Sequence, residues 1–208
     1  MLVLEDVTKA YDLQPVIEEI CLALEPGVRH LLTAPNGSGK TTLLRVMAGL
    51  SRPSRGRVLW DGRPLGPAGR RHLGVVLQQP MLYGDLTGAE NLVLFGGLYG
   101  LRDTRRRAKR WLERVGLGDV GARPVREYSK GMRQRLAVAR AMLHEPDVLL
   151  LDEPLDGLDA KGRRVVLGLL EDAAARGAAV FAVMHDTPDG WRPDRRFTLR
   201  WGRLVVDG

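Results

Sequence analysis

The sequence is poor in the features that stabilise secreted and membrane proteins. It has a single cysteine, Cys21, among 208 residues. A disulfide framework is therefore excluded, and the apolar run around Cys21 predicts a small buried side chain. The longest apolar run covers residues 92–101 and contains three glycines, whereas a membrane-spanning helix needs about 20 residues. The N-terminal stretch MLVLEDVTKAY lacks the basic start and long apolar region of a signal peptide. These absences predict a protein of the cytoplasm.

Charge is unbalanced toward the basic side. The chain has 32 lysines and arginines against 25 acids, a formal net charge of +7, which favours polyanions or an anionic membrane surface as partners. The densest basic stretch is RDTRRRAKR at residues 102–110, on a predicted helix. A solvated helix face is the alternative interpretation of this stretch. Since it has no interleaved aromatics and no nucleic-acid-binding motif, we expect no nucleic-acid partner.

Hydrophobic patterning predicts one α/β domain over residues 1–208. The runs VLLL and AVFAVM are apolar at consecutive positions, which is typical of strands covered on both faces and so of a mainly parallel central sheet. Helical periodicity covers residues 41–50, 104–115, 131–143 and 160–175. The pattern over residues from about 84 to 140 is mostly typical of helices. We therefore expect a helical subdomain of about 84–140 inserted into a core of about 1–83 and 141–208. Other strand-like runs cover residues 3–7, 17–24, 28–33, 58–60, 73–77, 197–200 and 204–206.

A phosphate-binding loop is predicted by the segment HLLTAPNGSGKTTLL. The segment follows a predicted strand and opens a predicted helix, which is the context that the P-loop pattern requires. Gly37 and Gly39 allow backbone N–H groups to turn inward toward an anion. Lys40 supplies a full charge for the β- and γ-phosphates, and the Thr41 hydroxyl is placed to ligate Mg²⁺. Ala34 stands where glycine is commoner, at a turn position that tolerates alanine.

A pair of acids follows a second predicted strand, in VLLLDEP. Asp152 can hold Mg²⁺, and Glu153 can orient or deprotonate an attacking water. An acidic helix start before Pro154 is the structural alternative. Beside a P-loop, the two acids favour a nucleoside triphosphatase.

Among nucleoside triphosphatases, a narrower family is indicated by the segment YSKGMRQRLAVARAMLHEPDVLLLDEPLDGLD. With the P-loop, it resembles the ATP-binding subunits of ATP-binding cassette (ABC) transporters, and the resemblance covers nearly all of the chain. It implies a P-loop core, an antiparallel N-terminal β subdomain and a helical insertion. It also implies ATP and Mg²⁺ as ligands and a head-to-tail dimer that holds two nucleotides.

The family signature LSGGQ is only partly kept. Ser129 and Gly131 match it, while Lys130 replaces the first glycine and Met132 the glutamine. Ser129 can cap a helix and donate to a phosphate oxygen, and Gly131 leaves its backbone N–H accessible. Lys130 can either add charge to the site or point to solvent.

The resemblance assigns further residues to roles. Tyr11 matches the aromatic that stacks on adenine, Gln78 the glutamine near Mg²⁺ and the attacking water, and His185 the histidine at the γ-phosphate. Asp159 matches an aspartate that crosses the dimer seam. The segment from Met81 to Tyr83 matches the surface where membrane subunits dock. The implied ATP contacts also include Asn36, Gly37, Ser38, Gly39, Lys40, Thr41, Thr42, Ser129 and Gly131.

These matches predict an ATPase subunit on the inner face of the cell membrane, paired with membrane-spanning subunits and a second ATPase subunit. The C-terminal part departs from the family, because DTPDGWRPDRR should not form a helix and a hairpin turning at Trp201 and Gly202 should follow. The absence of an added C-terminal domain is similar to exporter ATPases, including drug, lipid and cytochrome c haem exporters. A soluble ABC ATPase acting on ribosomes, DNA or iron–sulfur assembly is the alternative.

Overall fold

The structure is a computed structural model that describes residues 1–12 and 14–207. In these residues the chain forms ten strands and six α-helices. The strands are β1 (Leu2–Tyr11), β2 (Gln14–Leu24), β3 (Arg29–Thr33), β4 (Arg55–Trp60), β5 (Arg63–Pro64), β6 (Leu73–Val76), β7 (Val148–Asp152), β8 (Ala179–Val183), β9 (Arg195–Arg200) and β10 (Arg203–Asp207). The helices are α1 (Lys40–Met47), α2 (Pro67–Arg70), α3 (Gly88–Leu98), α4 (Thr104–Arg114), α5 (Lys130–Met142) and α6 (Ala160–Ala175).

The larger sheet has the order β10-β9-β3-β8-β7-β6. All its neighbours are parallel except β9 and β10, so the predicted mainly parallel sheet is confirmed. Along β7, Leu149 and Leu151 join one hydrophobic cluster while Val148 and Leu150 join another. Because successive side chains of a strand point to opposite faces, the sheet is covered on both sides. The ends of β7 and β8 lie side by side, with Asp152 paired to Val183.

The smaller sheet is antiparallel, with the order β2-β1-β4-β5, as the resemblance implied. The prediction that Cys21 is buried is wrong, because Cys21 is exposed on this sheet. The strand period of two buries Ile20 and Leu22 and turns Cys21 outward. There its thiol donates a 3.1 Å hydrogen bond to Oδ1 of Asp6.

The middle of the chain is helical, as expected. Helix α3 begins with a capping box in which Thr87 and Glu90 satisfy each other's backbone N–H groups. Helices α3 and α4 pack on α5, whose residues Leu136 to Met142 are buried. The bounds of this subdomain, about 84–140, stay a prediction. No helix in the described part of the chain is long and apolar enough to cross a membrane.

The predicted end of the first helix is wrong. Helix α1 ends at Met47, and Gly49 then adopts a φ of 66° that stops the helix. Leu50, expected on its buried face, is 48% exposed. The C-terminal predictions are confirmed, because no helix forms between His185 and β9 and the hairpin turns at Trp201 and Gly202.

Candidate active site

The loop between β3 and α1 has the geometry of an anion cradle. Gly37 and Gly39 have φ values of +79° and +101°, in the left-handed region that glycine adopts readily. A Cβ on Gly39 would lie 2.9 Å from the carbonyl oxygen of Val16, so a larger residue is excluded there. Helix α1 has no side-chain cap and no acid in its first turn. Its N-terminal N–H groups are therefore left for an anionic ligand.

Two polar side chains of this loop are arranged for a ligand. The Lys40 ammonium lies inside the loop and donates to the carbonyls of Ala34 and Pro35, at 2.6 and 2.9 Å. The Oγ of Ser38 is buried and has no hydrogen-bond partner in the described residues. Since a buried hydroxyl without a partner is costly, this group fits the edge of a phosphate-binding site.

The loop is joined to the end of β7 by one hydrogen bond. The Thr41 hydroxyl donates to Oδ2 of Asp152 at 2.9 Å. Asp152 is 3% exposed, and this burial raises the pKa of its carboxyl, although the Thr41 hydrogen bond and the Lys40 charge oppose the rise. The pair brings a hydroxyl and a carboxylate oxygen together, and these are donors that Mg²⁺ prefers.

Glu153 and His185 face each other beside this pair. Their Oε1 and Nε2 atoms are 3.4 Å apart, and Oε1 is buried without a hydrogen bond. Burial raises the pKa of Glu153, whereas the neighbouring His185 lowers it. Glu153 has a φ of 47°, and its backbone carbonyl accepts a 3.1 Å hydrogen bond from Nε2 of Gln134. The backbone of Glu153 is thus held in position, and its carboxylate lies beside the imidazole of His185.

These groups surround a single cavity of about 730 Å³. Most of the predicted phosphate, metal and catalytic residues line it, although Ser38 is not among the lining residues. Five other lining residues were not predicted, because no pattern in the sequence relates them to the loop: Val16, Pro80, Arg133, Gln134 and Asp156. The predicted residues that line the cavity are Asn36, Gly37, Gly39, Lys40, Thr41, Thr42, Gln78, Asp152, Glu153 and His185.

The partly kept signature lies at the start of α5. Ser129 caps the helix by accepting a hydrogen bond from the N–H of Met132 at 3.2 Å. Lys130 lines the cavity, and its ammonium pairs with Asp156 at 2.6 Å. Gly131 lies against the next loop, since a Cβ there would be 2.7 Å from the carbonyl oxygen of Gly157. Lys130 therefore contacts the site instead of pointing only to solvent.

Tyr11 and Asp159 lie outside the cavity lining. Tyr11 is 47% exposed, with the Lys9 ammonium 5.0 Å from its ring centroid. Asp159 caps α6 by accepting a 2.7 Å hydrogen bond from the N–H of Gly162. Met81 and Tyr83 are exposed, as expected, while Leu82 packs against the core and does not extend the exposed patch.

The chain matches the ABC transporter family over residues 17–156. The Fe(3+) ions import ATP-binding protein FbpC of Rhizobium etli is 37% identical over 210 residues, which cover 98% of this chain and 60% of the relative. The daunorubicin resistance ATP-binding protein DrrA3 of Streptomyces coeruleorubidus is also 37% identical, over 96% of this chain and 65% of the relative. The chain thus spans under two thirds of the length of these relatives.

Solved structures of similar fold cover the whole chain. The structure of an ATP-binding subunit of an ABC transporter superposes with a TM-score of 0.91 at 30% identity, covering 100% of this chain and 89% of the other. A dimeric ATP-binding cassette in a post-hydrolysis state, bound to ADP and Pi, gives a TM-score of 0.90 at 28% identity, covering 98% of that cassette.

Proposed function

This chain belongs to the ABC transporter family, and from that premise we propose that it is an ATP-hydrolysing subunit that powers transport across a membrane. The observation that carries the proposal is the meeting of Thr41, Asp152 and Glu153 around one cavity with the glycine-rich loop. A P-loop alone serves many nucleotide-binding proteins. A carboxylate beside the loop adds the means to activate water.

The loop binds the phosphates of ATP. Backbone N–H groups freed by Gly37 and Gly39 and by the uncapped start of α1 donate to phosphate oxygens. Lys40 then exchanges its two loop carbonyls for oxygens of the β- and γ-phosphates. Ser38 gains the partner that its buried hydroxyl lacks.

Thr41 and Asp152 would hold Mg²⁺, together with Gln78, which lines the same cavity. When bound, the ion supplies positive charge that stabilises the phosphate oxygens during transfer. Glu153 accepts the proton of the attacking water, because its side chain lines the cavity beside the Mg²⁺-binding pair. His185 holds this carboxylate from one side and reaches toward the γ-phosphate.

Two such subunits pair around nucleotide. Ser129 is exposed at the mouth of α5, so a second copy or a paralogue can present its ATP there. The dimeric cassette of similar fold bound to ADP and Pi supports this arrangement. ATP between two subunits stabilises the closed dimer through charge-assisted hydrogen bonds, and hydrolysis releases it.

The partners are membrane-spanning subunits on the inner face of the cell membrane, which dock on the exposed Met81 and Tyr83. The names of the relatives include an iron-import protein and a drug-resistance protein, so export, and haem export in particular, stays a prediction. The alternative function, a soluble ABC ATPase, has the same ATP hydrolysis but predicts ribosomes, DNA or iron–sulfur assembly proteins as partners.

A pull-down tests the transport part. The tagged chain is expressed in its native host, membranes are solubilised gently, and co-purifying proteins are identified. We expect a multi-span membrane protein in stoichiometric amount, lost in Met81→Asp and kept in Trp201→Asp, which places the same change on a 96% exposed residue of the hairpin. Ribosomal, DNA-bound or assembly partners in the soluble fraction would overturn transport and leave ATP hydrolysis standing.

A further inference from the structure

A second cleft, of about 280 Å³, lies beside α4 and shares no residue with the ATP cavity. We name it the arginine cleft. It lies between α4 and Arg176, which follows the last turn of α6. Its lining residues are Asp103, Arg106, Arg107, Arg110, Trp111, Arg114, Glu145 and Arg176.

Some of these arginines are neutralised. Arg107 pairs with Glu145 at 3.2 Å and Arg114 with Asp172 at 3.0 Å. The guanidinium of Arg114 also lies 4.5 Å from the ring centroid of Trp111, which is 5% exposed and walls the cleft. These contacts hold Arg107 and Arg114 in place, so a structural role is enough to account for these two side chains.

Three other arginines have no such explanation. The side chains of Arg106, Arg110 and Arg176 make no hydrogen bond or ion pair within residues 1–12 and 14–207. Counting Asp103, Glu145 and Asp172, five guanidinium groups face three carboxylates in and around the cleft. A cleft with an excess of one sign of charge concentrates counter-ions of the other sign.

The arrangement works against the stability of α4. Arg106, Arg110 and Arg114 repeat at four-residue spacing, so like charges are neighbours on one helix face. The first turn of α4 contains no acid, and Asp103 makes no side-chain cap, so basic side chains crowd the positive end of the helix dipole. A solvated face needs no such repetition, whereas a site for an anionic ligand does.

We propose that the arginine cleft binds a ligand that carries clustered phosphate groups. Guanidinium groups present paired N–H donors that match phosphate oxygens, and phosphate needs several of them. The volume of the cleft is at the low end of ligand-binding sites, which fits a phosphorylated headgroup rather than a whole nucleotide. The headgroup of an anionic phospholipid and a free polyphosphate share this chemistry.

The test compares two triple variants of the full chain with equal loss of charge. The cleft variant is Arg106→Gln/Arg110→Gln/Arg176→Gln. The control is Arg102→Gln/Arg105→Gln/Lys109→Gln, which removes three exposed cations of the same region that do not line the cleft. Binding is measured to inositol hexakisphosphate by calorimetry, and by co-sedimentation to phosphatidylcholine vesicles with and without cardiolipin, whose headgroup carries two phosphates.

We expect the cleft variant to bind at least about tenfold more weakly than the control in one of these assays, and that assay identifies the source of the phosphate. Binding at the ATP cavity would be unchanged in both variants, so it cannot produce this difference. Equal weakening in the two variants, or no binding of either probe by the unaltered chain, would overturn the proposal. If either triple variant unfolds, the corresponding single variants replace it.

Discussion

The hydroxyl of Thr41 donates a 2.9 Å hydrogen bond to Oδ2 of Asp152, across 111 positions of sequence. Thr41 stands in the first turn of α1 and Asp152 at the end of β7. One contact therefore joins the phosphate loop to the end of the strand that Glu153 directly follows. The chemistry proposed for the cavity depends on this junction.

The substitution Thr41→Val keeps the shape of the side chain and removes its oxygen. We expect the Mg²⁺ concentration needed for half-maximal ATP hydrolysis to rise about tenfold or more, because one metal ligand is lost. ATPase rates are measured against Mg²⁺ concentration. Thr8→Val on β1 is the control, since its hydroxyl bonds only the N–H of Glu19 far from the cavity. An unchanged Mg²⁺ requirement in Thr41→Val would refute the assigned role of Thr41.

The pH dependence of hydrolysis should follow Glu153. Its carboxylate must be ionised to accept a proton, so activity falls as pH drops through its pKa. Burial raises this pKa above the ordinary 4.5, while the neighbouring His185 lowers it. We expect the residual activity of His185→Gln to be lost at a higher pH than that of the unaltered chain, measured as a pH–rate profile. A shift of the acid limb to lower pH would contradict the pairing of these residues.

Gly131 should not tolerate alanine. Its Cβ would lie 2.7 Å from the carbonyl oxygen of Gly157, so the start of α5 or the loop after β7 has to move. A displacement of this kind in an active site lowers turnover by about tenfold to a hundredfold. ATPase rate is compared with that of Gly168→Ala, a helical glycine with nothing within 4 Å of the added carbon. Equal rates in the two variants would show that the contact is irrelevant to turnover.

Stability at acid pH should depend on His144. Its ring stacks on Tyr99 at 3.8 Å, and burial lowers its pKa from 6.5 to about 4. Between pH 6.5 and about 4, His144 is protonated in the unfolded chain but not in the folded one. The free energy of unfolding therefore falls as pH falls through this range, by on the order of 3 kcal/mol. Urea unfolding across this range should show the decline, reduced by that amount in His144→Phe. The same pH slope in both proteins would exclude this contribution.

Much of the site could be predicted because its residues are close in sequence. The glycines, Lys40 and Thr41 fall within one strand–loop–helix segment, and Ser129 caps α5 as its position suggested. The contact of Gln134 with Glu153 could not be predicted. It joins a helix to a strand end, and only the folded topology brings them together.

The errors in the fold also have physical causes. Cys21 lies in an apolar run, but the strand period turns it outward. Leu50 fits the helical spacing of α1, yet Gly49 ends the helix before it. The bounds of α3 were missed because the segment is apolar at most positions and contains Gly96 and Gly97, so its pattern has no clear period. The order of strands in the larger sheet depends on contacts between distant segments, which local pattern does not contain.

The central claim is that Glu153 activates the water that attacks ATP. The most direct measurement is ATP turnover by Glu153→Gln, with ATP binding and oligomeric state recorded on the same protein. The account predicts turnover at least about a hundredfold lower, unchanged ATP affinity and an ATP-dependent dimer, while Glu171→Gln on the exposed face of α6 behaves as the unaltered chain. Turnover at the rate of that control would contradict it.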